Sequence, residues 1–212
     1  MLQSGLLLAY GLRLGTFIAL RGRVPSFQKQ QVENTARGAR VGGLLKAAIW
    51  VGVSLFYVLL FVPALLTMSA QAGGLVLASA PAGVVLMATG LGLESGADWQ
   101  KSRFKIQNPS RFCDIGFYSV VRFPNYFGEI VFWLGVWVSA MSIYRTLFAW
   151  VLGSLGFLCI VLVMVGAGRR LELKQSKSYG SDPAFEAYSR RVPILFPLLP
   201  IFSLRSPKVS QR

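Results

Sequence analysis

Residues 41–68, "VGGLLKAAIWVGVSLFYVLLFVPALLTM", carry a single charge, Lys46, close to their start. A helix needs roughly 20 apolar residues to cross the hydrocarbon core of a bilayer, and this stretch exceeds that. Comparable runs stand at Leu75–Leu93 and Thr146–Ala167, a shorter one at Phe127–Met141, and a first at Leu6–Leu20 that Arg13 interrupts. The expected fold class is therefore all-α: a multi-pass membrane helical bundle of about five transmembrane helices, with a C-terminal helical segment on the cytoplasmic side. Composition agrees. Of the 212 residues 54% are hydrophobic and only 14% charged, against about a quarter charged in soluble domains. Mean hydropathy is +0.54.

The net charge of +14 raises nucleic acid as a partner, but the placement of the charge argues against it. Five crossings put Arg21–Lys46, Lys101–Arg122 and Arg169–Arg212 on one side, and these hold 20 of the 22 Lys and Arg residues. Positive charge gathered on one side is what membrane insertion alone requires. It places the C-terminus on the cytoplasmic or topologically equivalent side, with membrane lipids as partners and no nucleic acid. There is no histidine, and the two cysteines, Cys113 and Cys159, form neither a disulfide framework nor a metal-ligand spacing. The N-terminus lacks the basic region and cleavage pattern of a signal peptide. The expectation is one membrane domain over residues 1–202 and a polar tail over 203–212.

Several polar residues stand where plain anchors would serve for insertion. Glu94 and Asp98 lie four apart at the end of an apolar run, and Lys101 and Lys105 extend the same helix face. Two acids followed by two bases suit a nucleotide, the acids taking hydroxyl or amide hydrogens and the bases phosphates. They equally suit a boundary helix that neutralises itself. In "VRFPNYFGEIVFW", residues 121–133, Arg122 can hold a phosphate, Pro124 fixes the turn, and Asn125 and Glu129 share a helix face. A capped helix start, with Glu129 favoured near the positive end of the dipole, is the plainer reading. Tyr188, Arg190 and Arg191 can close over phosphates or meet lipid headgroups. Tyr10 shares a face of the first helix with Arg13 and is a candidate proton donor or an interfacial anchor.

Taken together, "ESGADWQKSRFK" (residues 94–105), "GFYSVVRFPNYFGE" (116–129), "FEAYSRRVPILFP" (185–197) and "YGLRLGTFIALRGR" (10–23) resemble the steroid 5-alpha-reductase superfamily, in its bacterial and plant reductase-like branch. The resemblance covers Tyr10 to Pro197. It implies a helical bundle that binds NADPH at its cytoplasmic face and reduces an activated C=C bond of a lipophilic, sterol- or prenyl-like substrate. By position, Glu94, Asp98, Lys105, Arg122, Asn125, Glu129, Tyr188 and Arg191 would hold the cofactor. Tyr10 would be the catalytic proton donor, and no metal would be needed. The isoprenylcysteine methyltransferases share the architecture and are a weaker match. Two signature positions depart from the family: its histidine is Phe123 and one of its tyrosines is Val120. The chain also begins at what corresponds to the family's third helix. These departures keep a second expectation open, a non-catalytic structural subunit of a larger membrane complex in which NADPH binding has been lost.

Overall fold

A computed structural model describes residues 2–23 and 25–205. Among these residues the chain is helical and has no strand. The helices are α1 (Leu2–Arg21), α2 (Pro25–Ala39), α3 (Gly43–Ala72), α4 (Ala80–Gln107), the single turn α5 (Phe117–Val120), α6 (Pro124–Ser139), α7 (Leu147–Tyr179) and α8 (Pro183–Arg191). Four segments are long and apolar enough to cross a membrane: α1, α3, α6 with the 3-10 turn that follows it, and α7. This is an integral membrane protein built as a helical bundle, and the exposed apolar side chains of α3 and α7, such as Leu44, Val51, Leu65 and Leu162, meet lipid.

The fifth expected crossing differs in detail. Leu75 to Ser79 lie outside the helix, because Pro81 falls in the first turn of α4 rather than at a bend within it. Charged residues then fill the second half of α4. The polar segment after Arg170 is no separate helix either; α7 runs without a break to Tyr179. Other punctuation follows the sequence closely. Pro124 sits in the first turn of α6, and Asp182 caps α8 by accepting a hydrogen bond from the Ala184 N–H at 2.9 Å. The expected tail, 203–212, falls mostly outside the described residues.

The bundle is built on antiparallel contact between α4 and α6, and glycines set how close the two come. A Cβ on Gly90 would lie 2.3 Å from the Phe132 nitrogen, and one on Gly135 would lie 2.6 Å from the Gly83 carbonyl oxygen. Side chains therefore cannot separate the two backbones along this seam, and small residues let helices in lipid gain dispersion contact. A second close approach joins α3 to α7. Pro63 inside α3 has no N–H to give the Leu59 carbonyl, and Gly156 of α7 packs against that carbonyl, where a Cβ would sit 2.4 Å from the oxygen. Above the seam, Met87, Phe132, Trp133 and Val136 form one apolar core with Leu60, Ala64 and Ile160.

The C-terminal segment straps the rim. The backbone N–H groups of Arg122 and Phe123 donate to the carbonyls of Pro193 and Ile194 at 2.9 and 3.1 Å. Beneath this strap Arg122 and Glu172, each 1% exposed, form a buried ion pair at 3.4 Å. Arg122 also donates to the Phe202 carbonyl at 2.8 Å, and Glu172 accepts the Leu204 N–H at 2.9 Å. Removing one partner of a buried pair strands the other charge, which typically costs about 3–5 kcal/mol. Glu172→Leu is thus expected to loosen residues 193–205 and lower stability by about that amount. Limited proteolysis should show faster cutting there; an unchanged cutting rate would mean that the pair does not hold the strap.

Candidate functional site

Polar side chains from α1, α4 and α6 converge at one rim of the bundle. The convergence begins with backbone distance. A Cβ on Gly128 would lie 2.7 Å from the Glu94 nitrogen, so α4 and α6 are in contact where Glu94 and Glu129 emerge. Glu94 and Asp98, one turn apart on α4, both receive Arg13 of α1. Its Nη2 pairs with a Glu94 oxygen, and its Nη1 donates to Asp98 Oδ2 at 3.2 Å. Three residues earlier on α1, Tyr10 donates its hydroxyl to Glu129 Oε1 at 2.5 Å, and Trp133 Nε1 donates to the same oxygen at 2.8 Å. The Tyr10 ring is fixed as well. It stacks on Phe132 with centroids 4.5 Å apart and meets Trp133 edge-on at 5.5 Å.

This arrangement holds a phenol beside a carboxyl in an apolar wall, with one guanidinium serving two further carboxyls. Two of its atoms remain buried without a partner among the described residues, Glu94 Oε2 and Arg13 Nε. A turn before Glu129, Asn125 is half-buried, and its carboxamide has no hydrogen-bond partner among the described residues. Under the strap, Arg122 keeps two more unpaired buried donors, Nε and Nη1.

The structure thus brings Tyr10, Glu94, Asp98 and Glu129 together, with Asn125 on the same helix as Glu129. The remaining candidates are spread out. Lys105 closes the loop after α4, donating to the carbonyls of Pro109 and Arg111 at 3.2 and 2.6 Å and to the Tyr179 hydroxyl at 2.8 Å. Arg122 belongs to the buried pair with Glu172. Tyr188 lies in an aromatic cluster with Phe112 and Phe185, and its hydroxyl donates to the Tyr118 carbonyl at 2.7 Å. Burial pushes that phenol above the usual tyrosine range, so it remains a neutral donor. Arg191 is exposed on α8. A hollow of ≈ 910 Å³ along α2 and a smaller one of ≈ 370 Å³ between α7 and α8 both lie away from Tyr10.

The two departures from the reductase signature also acquire places. Phe123 is 1% exposed and packs with Ile130, Ile194 and Leu195, against Gly168 of α7. Its ring fills a core under the strap. Val120 is 57% exposed on α5. Two pairings in the site, and one under the strap, went unread in the sequence. Arg13 shares a face with Tyr10, and the one signal for its pairing is an isolated cation in an apolar helix, which demands an acid. Trp133 is four residues after Glu129 and so lies on its face. Glu172 gave no signal beyond being a lone acid in a basic stretch.

The chain belongs to the family described as a protein of unknown function (DUF1295), whose model matches residues 1–192. No curated protein matches the chain. No solved structure matches it either.

Proposed function

We propose that the protein is a membrane-embedded, NADPH-dependent reductase of an activated C=C bond in a lipophilic substrate. The observation that carries this reading is the half-buried Tyr10–Glu129 hydrogen bond beside the Glu94–Arg13–Asp98 cluster, at the end of an apolar core. Association of the family with steroid 5-alpha-reductase-like proteins supports it. The unpaired atoms fit the cofactor: Glu94 Oε2 can accept from an amide or a ribose hydroxyl, Asn125 can bind a carboxamide, and the free donors of Arg122 suit a phosphate oxygen. When bound, NADPH supplies the hydride.

The chain's own part is positioning and proton supply. Stacking on Phe132 and the edge of Trp133 leave the Tyr10 ring one orientation, with its hydroxyl at the polar end of the apolar wall. There it can release Glu129 and donate to the carbonyl oxygen of an enone. As hydride adds to the β carbon, negative charge develops on that oxygen, and a donor already aimed at it lowers the barrier. The proton comes from the phenol, which Glu129 holds in place until the substrate oxygen takes over its hydrogen bond. The apolar residues of the core keep water away from the reacting bond. The basic face, on this reading, is the cytoplasmic one.

One observation favours a second reading, a non-catalytic subunit. Arg13 already engages both Glu94 and Asp98, and Lys105 is occupied by its own loop, so much of the expected cofactor set has protein partners. Titration of the detergent-purified protein with NADPH, followed by nicotinamide fluorescence, separates the two. The reductase reading expects binding near micromolar affinity, weakened at least about tenfold by Asn125→Ala. Asn125 has no hydrogen bond to lose among the described residues, so the effect would report the ligand and not the fold. Absence of binding, with co-purification of a stoichiometric membrane partner, would establish the second reading instead.

A further inference from the structure

The inner face of α1 carries a polar group that the chemistry above leaves unused. Gln3 is 3% exposed, and both its amide oxygen and its amide nitrogen are buried without a partner among the described residues. Two hydroxyls sunk in the bundle, by contrast, satisfy themselves. The hydroxyls of Thr67 and Ser139 donate to the carbonyls four residues back, Pro63 and Gly135, at 2.8 Å each. A glutamine carboxamide offers two donors and an acceptor, and in a membrane helix no bulk water stands by to meet them. Position gives the group a direction. Gln3 precedes Tyr10 by seven residues, just under two turns, so the two side chains leave the same face of α1 with roughly 10 Å of helix axis between them. Leu6 and Leu7 lie between, and together with Tyr10 they pack on the apolar core around Met87 and Phe132. The strip is therefore polar at both ends and apolar along its length. α1 leans chiefly on α4 and is the most weakly buried of the apolar helices, so little packing has to be undone to admit a molecule along this strip.

We infer that Gln3 is a specificity-determining residue, binding a hydroxyl or carbonyl oxygen at the far end of a substrate whose reacting carbonyl lies at Tyr10. The inference rests on the reductase reading and narrows it. The substrate class becomes an elongated apolar molecule with an enone at one end and a hydrogen-bonding oxygen roughly 10 Å away. Molecules lacking that second oxygen leave the carboxamide unpaired and bind more weakly.

The test uses the full chain in detergent and two probes, a medium-chain alkyl enone and its ω-hydroxy counterpart. Binding is read from intrinsic tryptophan fluorescence without NADPH, so no turnover is needed. The unaltered protein is expected to bind the hydroxy probe about tenfold more tightly, the effect of one good hydrogen bond to a buried amide. In Gln3→Leu, and in Gln3→Met, which keeps the length of the side chain, the ratio of the two affinities falls to about one. Equal affinities in the unaltered protein, or a preference that survives both substitutions, overturns the role of Gln3. The reductase reading then still stands if the plain enone binds and is reduced with NADPH. Failure of both probes to bind overturns the two together.

Discussion

Tyr10→Phe is expected to lower the rate of enone reduction about 100- to 10,000-fold, the range removed when a positioned acid is lost, while NADPH affinity stays within about threefold. The substitution is close to minimal. The ring keeps its stack on Phe132 and its edge contact with Trp133, and only the O–H that donates to Glu129 disappears. Glu129 still accepts from Trp133 Nε1 at 2.8 Å, so the carboxyl is not stranded and the fold should hold. The fall should appear in kcat as well as in kcat/KM, because the hydrogen bond strengthens as charge develops on the substrate oxygen. Absorbance decay of NADPH with a panel of alkyl enones measures it. A Tyr10→Phe protein that turns over within threefold of the unaltered one would remove Tyr10 from the chemistry and leave it as a packing residue.

Bilayer length and apolarity made the helices legible from sequence, because a crossing helix has little freedom in composition. Turns were legible where one residue type forces the backbone: Pro124 opens α6, and Asp182 with Pro183 opens α8. The start of α4 was not, because Leu75, Val76 and Leu77 are as apolar as any helical residue, and hydropathy alone does not tell an apolar connector from a first turn. Convergence of acids near Glu94, Asp98 and Glu129 could be anticipated, since ionisable groups at a membrane boundary need partners. Which partner each takes could not. Periodicity along α4 set Glu94 and Asp98 with Lys101 and Lys105, whereas their cation comes from α1, more than 80 residues away in sequence. Pairing across elements depends on helix register, which single-helix spacing does not encode. The same reason hid Arg122–Glu172. Phe123 stands where the family signature has a histidine, and its ring turns into the core formed with Ile194 and Leu195; spacing alone could not show where that apolar replacement points.

Gly90→Leu is expected to be among the most damaging single changes in the bundle, removing about 3 kcal/mol of stability by overpacking and lowering the unfolding midpoint by about 6–12 °C. The geometry leaves no escape for the new side chain. A Cβ at Gly90 would meet the Phe132 nitrogen at 2.3 Å, the Gly128 oxygen at 2.6 Å and the Phe132 Cα at 2.7 Å, all backbone atoms of α6. No rotamer change relieves a clash with backbone, so α4 and α6 must move apart along a seam that also includes Gly83, Gly128 and Gly135. That movement separates Glu94 from Glu129, so α1 cannot keep both Arg13 on Glu94 and Tyr10 on Glu129, and the site should be lost together with the fold. Gly92→Ala supplies the control within the same helix. A Cβ there meets nothing within 4 Å, and alanine in a helix interior is favoured over glycine by up to about 1 kcal/mol, so that variant should be as stable as the unaltered protein or slightly more so. Thermal unfolding in mild detergent compares the two directly. If Gly90→Leu melts with Gly92→Ala, then α4 and α6 do not pack through their glycines, and the placement of Glu94 beside Glu129 loses its physical basis.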